Sequence, residues 1–147
     1  MNQPLVNADT HGVVIDTNVV LDLLVFNEPR VQPLRAALAQ ERLRWLACAR
    51  MGDELAEVLR RGLAAQRGAD AAQVLSDWQG RVALKPAPAP GWRLRCSDAD
   101  DQVFIDLALE QRARWLLSRD RAVLKLARRA QALGLAILTP EAWAAQT

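Results

Sequence analysis

Short apolar runs alternate with amphipathic stretches along most of this chain, and each kind predicts a different element. Val13-Val14-Ile15 is β-branched and too short for a helix, so it predicts a buried strand. Runs at 45–48, 115–118 and 135–138 predict three more strands, and 92–96 a short, weak one. Helical patterning occupies the intervals 19–26, 34–43, 51–63, 71–78, 97–112 and 121–133, with a last helix opening at Pro140. In the third of these, Leu55, Val58, Leu59 and Leu63 fall at the i, i+3, i+4, i+8 spacing of one apolar stripe. Gly134 stands where a helix ends in the left-handed conformation. Thr139-Pro140-Glu141 offers a cap residue followed by proline at the first turn. Three prolines between Lys85 and Gly91 remove backbone donors and restrict their neighbours, which makes that stretch a loop.

Strands alternating with helices predict a parallel sheet covered on both faces, a three-layer α/β/α sandwich of four or five strands. The length of 147 residues suits one domain, expected over 12–147, with a flexible N-terminal segment over 1–11. Charged residues make up 24% of the chain, an ordinary globular balance. The apolar stretch 13–26 is broken by Asp16, Asn18 and Asp22 and cannot span a bilayer, so no membrane partner is expected. The first residues show neither a basic start nor an apolar run, and a cytoplasmic location is expected. Two cysteines, Cys48 and Cys96, are too few for a disulfide framework and read as small buried side chains.

Net charge is only +2, which by itself implies no nucleic acid. Seventeen of the nineteen basic residues are arginine, whose planar fork suits phosphate oxygens, although a GC-rich coding bias gives the same composition. His11 is the only histidine and is expected to be solvated. Its solitude argues against histidine acid–base chemistry and against a histidine-rich zinc site.

The acids are more informative. Ligands of open α/β sheets bind beyond the carboxyl ends of the strands. Asp16 directly follows the first strand, and Asp120 lies two residues beyond the strand that ends at Ser118. Asp101 stands in the first turn of its helix on the same rim. Glu54 sits at the edge of its apolar stripe, whereas Asp53 and Glu57 point away. Duller roles exist for each. Asp101 and Asp120 can offset helix dipoles, Asn18 can cap a helix, and Ser97-Asp98-Ala99-Asp100 has a capping-box pattern. Asp16 is harder to dismiss, because a carboxylate closing a buried strand needs a cation or a set of donors. No lysine precedes residue 85, so a metal ion is the economical partner. Oxygen-only ligation points to Mg²⁺ or Mn²⁺.

The ordered set of motifs resembles the PIN-domain nucleases. It runs from Val-Val-Ile-Asp16-Thr17-Asn18 through Asp53-Glu54-Leu55 with Val58-Leu59-Arg60-Arg61. It continues in Asp98-Ala-Asp100-Asp101 with Phe104-Ile105-Asp106-Leu107-Ala108, then Leu117-Ser118-Arg119-Asp120 and Thr139-Pro140-Glu141. Nearly the whole chain is covered in the family's order, and the nearest likeness is to toxin components of bacterial toxin–antitoxin pairs. The resemblance implies metal-dependent RNA cleavage, with Asp16, Glu54, Asp101 and Asp120 at the metal positions. Asp101 is taken from the acidic run because it lies seven residues before Ala108, and Asp98 is the reserve. Thr17, Asn18 and Ser118 take supporting or substrate-positioning places. Arg60, Arg61, Arg119 and Arg121 are candidates for RNA-phosphate contacts. Implied partners are an RNA substrate, a cognate antitoxin and a second copy of the chain.

Three other readings compete. An aspartyl-phosphate phosphatase also starts with an acid after the first strand, but it wants a second acid where Asn18 stands. A Rossmann nucleotide module lacks its Gly-x-Gly-x-x-Gly cradle here. A catalytically silent PIN-like domain that binds RNA or protein remains open, and metal titration separates it from the nuclease.

Overall fold

The computed structural model describes residues 11–90 and 93–146, except the side chains at 63 and 64. Its centre is a five-stranded sheet of β1 (His11–Ile15), β2 (Leu43–Cys48), β3 (Ala83–Lys85), β4 (Trp115–Leu117) and β5 (Ala136–Leu138). The order is β3-β2-β1-β4-β5 and every pairing is parallel. Val13 pairs with Trp45 on one side and Trp115 on the other, so β1 is the central strand. Flanking helices complete a three-layer α/β/α fold. They are α1 (Thr17–Leu24), α2 (Gln32–Ala39), α3 (Ala49–Val58), α4 (Ala64–Gln66) and α5 (Ala71–Arg81) in the first half. In the second half come α6 (Gln102–Glu110), α7 (Arg121–Leu124), α8 (Ala127–Gln131) and α9 (Pro140–Ala145). Among the described residues no helix is long and apolar enough to cross a membrane.

Burial explains why β1 and β4 read as continuous apolar runs. Val13, Val14, Leu116 and Leu117 are wholly buried, covered on both faces as parallel strands must be. Phe104, Ile105 and Leu107 of α6 join the same core, as do Trp45, Trp78, Trp115 and Trp143. Trp92 lies outside the described residues. So do residues 1–10 of the expected N-terminal segment, but His11 already belongs to β1. It is half-buried rather than solvated, edge-on to Trp115 with ring centroids 5.5 Å apart.

The structure corrects several boundaries. The stretch 93–96 is not a strand. Gln102 holds it from the side, accepting from the Cys96 amide at 2.8 Å and donating to the Leu94 carbonyl at 2.8 Å. The fifth strand is instead Ala83–Lys85, paired with β2. Its central Leu84 is 62% exposed on the sheet edge, which hides it from a search for apolar runs. The helix expected over 34–43 stops at Ala39, because Leu43 starts β2. The helix expected over 51–63 is regular only to Val58 and is broken by a kink at Gly62, which takes φ 89°, open to glycine at no steric cost. The helix expected over 121–133 is two short pieces, α7 and α8. The last cap forms as expected, with Thr139 Oγ1 accepting from the Ala142 amide at 3.1 Å.

Gly52 lets α3 approach α5, since an added Cβ would lie 2.8 Å from Cζ3 of the buried Trp78. Gly52→Ala gains about 1 kcal/mol of helix propensity and incurs overpacking of about 1–3 kcal/mol. We expect a net loss of stability, read as a lower urea midpoint followed by tryptophan fluorescence.

Candidate metal centre

The chain leaves β1 for β2 and β3 on one side, and returns through α6 to β4 and β5 on the other. The order therefore reverses between β1 and β4, and beyond the carboxyl ends of such strands a ligand crevice opens. Asp16 and Ser118 face each other across it. The Asp16 amide donates to the Leu117 carbonyl at 2.9 Å, and the Ser118 hydroxyl donates to Asp16 Oδ2 at 2.5 Å. Asp16 is 3% exposed and Ser118 fully buried, so the carboxylate is held in one orientation. The same hydroxyl oxygen accepts the Asp120 amide at 3.0 Å, and Asp120 Oδ1 accepts from the Ala122 amide at 2.8 Å to cap α7. From the other wall, Thr17 donates its hydroxyl to Glu54 Oε2.

The third wall is a 3₁₀ turn, Ala99–Asp101, that leads into α6. Asp98 caps it by accepting from the Asp100 amide at 3.0 Å. This places Asp101 inside, 8% exposed. One carboxylate oxygen each from Asp98, Asp101 and Asp120 lies within 4.8 Å of the others.

Such crowding is unfavourable for the ionised acids. Burial raises the Asp16 carboxyl above its ordinary value; hydrogen bonds from Ser118 and the Thr17 amide oppose this, and the charges of Glu54 and Asp120 add to it. Asp101 is pushed up to about 8, by burial first, then by its hydrogen-bonding contact with Asp120 and the charges of Asp16, Asp120 and Asp98. Asp101 Oδ2 is buried and has no hydrogen-bond partner. An orphaned carboxylate oxygen among further acids is the arrangement that a divalent cation relieves, and an all-oxygen donor set suits a hard ion. The residues fit a metal.

The PIN-domain family matches the chain over residues 12–122, a span that holds every one of these acids. The chain belongs to the PIN-domain family. PIN domains are in general nucleases that use divalent metals, so at that level the fold and the acid cluster agree. No curated protein matches the chain at a significant level.

Within this PIN domain the expected site residues are distributed unevenly. Asp101 and Asp120 meet at the crevice together with Asp98, the reserve. Asp16 lies close enough for its charge to act on Asp101 but is not one of the three acids whose oxygens lie within 4.8 Å of one another. Glu54 is outside that trio and next to Asp16, tied back by Thr17. Asn18 and Asp100 are exposed. Arg60 and Arg61 share the exposed Glu57 and point along α3, while Arg121 is exposed at the start of α7. Arg119 is not available to a phosphate. Its Nε donates to Asp22 at 2.8 Å, and its two terminal nitrogens donate to Glu141 at 2.6 and 2.5 Å. That bridge was invisible in the sequence because its partners lie 97 and 22 positions away.

The raised acids fix the sign of a pH effect. Between the ordinary value of 3.8 and about 8 the folded chain holds the Asp101 proton and the unfolded chain does not. Metal-free protein should therefore lose stability as pH rises through that interval. Asp101→Asn should flatten the decline in Tm and raise Tm at pH 8. Mn²⁺ should raise the wild-type Tm there and leave that variant's Tm nearly unmoved, as scanning calorimetry can show.

Proposed function

We propose that this PIN domain is a metal-dependent endoribonuclease that hydrolyses RNA phosphodiester bonds. The observation that carries the reading is the carboxylate cluster of Asp98, Asp101 and Asp120 at the switch crevice, with one oxygen of the buried Asp101 left without a donor. Asp16, Asp101 and Asp120 would hold Mg²⁺ or Mn²⁺, with Glu54 alongside and Asp98 as the alternate ligand. When bound, the cation supplies an activated water and neutralises charge on the phosphate and the leaving oxygen. Products would carry a 5′-phosphate and a 3′-hydroxyl.

The chain's own groups prepare that site. Ser118 fixes the Asp16 carboxylate, and Thr17 holds Glu54 beside it. Enclosure by β1, β4 and the 3₁₀ turn lowers the local dielectric, so charge placed there acts strongly. His11 packs on Trp115 and opens β1, at the other end of that strand from Asp16. We further propose that the chain is the toxin of a bacterial toxin–antitoxin pair. A cognate antitoxin and a second copy of the chain are its proposed protein partners. Both proposals rest on the likeness of its motifs to that group.

Asp16→Asn should abolish cleavage of structured and single-stranded RNA in Mn²⁺ or Mg²⁺, with Tm unchanged or higher because a buried charge is removed. Ser118→Ala should cost about 10–100-fold in rate, since the hydroxyl orients a ligand. Wild-type cleavage by purified Asp16→Asn would refute the assignment.

A further inference from the structure

On the same rim as the acids lies a cavity of about 350 Å³ lined by Cys48, Arg50, Pro88, Arg95, Val103 and Asp106, among others. Cys48 closes β2, the neighbour of the central strand, and Arg50 is in the first turn of α3. Gln102 also lines it and directly follows Asp101. Cys96, the next residue after Arg95, lies in the field of Asp101, Asp120 and Asp98. Cavity and cluster are thus adjacent.

The walls are fixed before any ligand arrives. Gln102 bonds both the Cys96 amide and the Leu94 carbonyl, which pins the stretch that carries Arg95 onto α6. Its amide nitrogen also donates to Asp106 Oδ1 at 2.9 Å. Across the opening, the proline-rich loop is held by the Ala89 amide, which donates to Glu110 Oε1 at 3.0 Å. Prolines there resist collapse into the space.

Charge decides what enters. A bare cluster of carboxylates repels a phosphodiester, so a substrate needs positive charge beside the acids. Arg119 is consumed by Asp22 and Glu141, Arg60 and Arg61 share the single exposed carboxylate of Glu57, and Arg121, exposed at the start of α7, does not line the cavity. Arg50 and Arg95 are exposed at the cavity, and among the described residues neither forms an ion pair. A second cavity, of about 340 Å³, holds Arg93 and Arg112, but Ala113 and Leu135 place it at the amino ends of β4 and β5, away from the acids.

We propose that the cavity beside the cluster seats one unpaired nucleotide next to the bond being cut, with Arg50 and Arg95 on its phosphate. This rests on the nuclease reading for the bond cut, though not for the binding itself. Ala87, Pro88, Pro90 and Val103 offer the base an apolar wall, and the volume suits a small ligand. A base paired in a duplex cannot leave its stack without cost, so the site selects single strands.

The test compares wild type, Arg50→Ala/Arg95→Ala, Arg50→Lys/Arg95→Lys and a control, Arg128→Ala/Arg129→Ala on α8. Anisotropy of a fluorescent single-stranded RNA of mixed sequence is read in chelator over a range of salt, with its duplex form beside it. Cleavage kinetics follow in Mn²⁺. The alanine pair should weaken single-strand binding about tenfold or more, lower the salt slope by about one, and raise KM more than it lowers kcat. The lysine pair should recover most of the binding, and the control should match wild type. Binding unchanged in the alanine pair, an equal loss in the control, a loss as large on duplex, or no wild-type binding would each overturn the pocket. If the arginines govern binding but wild type never cleaves, the pocket stands and the nuclease reading falls. If cleavage persists with KM unchanged in the alanine pair, the reverse holds.

Discussion

Carboxyl groups crowded at one crevice, two of them buried, are the constraint around which this fold is arranged. Asp16, Asp101 and Asp120 are brought to the carboxyl ends of β1 and β4 by a parallel sheet whose order reverses there. Core packing of Val13, Val14, Leu116 and Phe104 fixes the strands and α6, so the acids cannot drift apart to relax their repulsion. The chain answers part of this strain locally. Ser118 donates to Asp16, and the Ala122 amide donates to Asp120. It leaves Asp101 Oδ2 unanswered, and a cation is the remaining partner of the right sign.

The arginines divide along the same line. Arg119 stands one residue from Asp120 yet spends its whole guanidinium on Asp22 and Glu141. It joins α1 to α9 across the end of the sheet, and Glu141 in turn holds it well above the usual arginine range. An arginine so engaged braces the crevice. Among the described residues Arg50 and Arg95, beside the cluster, form no ion pair. Structural and ligand-facing roles thus fall to different members of one residue type.

Much of this was legible in the residues. Val-Val-Ile before Asp16 announced a buried strand ending in a charge, and the helix wheel separated Glu54 from the exposed Asp53 and Glu57. Periodicity also gave the parallel α/β plan. It failed where tertiary context overrides local pattern. Ala83–Lys85 is a strand because β2 offers a free edge, and its most apolar residue faces solvent. Residues 93–96 look like a strand, but the Leu94 carbonyl and the Cys96 amide are bonded by Gln102 and not by a neighbouring strand. The acidic run 98–101 could not be resolved by spacing alone. The 3₁₀ turn that Asp98 caps decides which oxygens point inward, and it brings Asp98 itself into the cluster. The engagement of Arg119 depends on partners far away in sequence, so no local signal reveals it.

Anomalous diffraction from crystals grown with Mn²⁺ shows whether a cation sits among these acids. We expect a manganese peak coordinated by Asp101 and Asp120 at the crevice between β1 and β4, with Asp16 facing it. A well-ordered crevice without a peak at saturating Mn²⁺, or a peak only at acids elsewhere on the surface, would contradict that expectation.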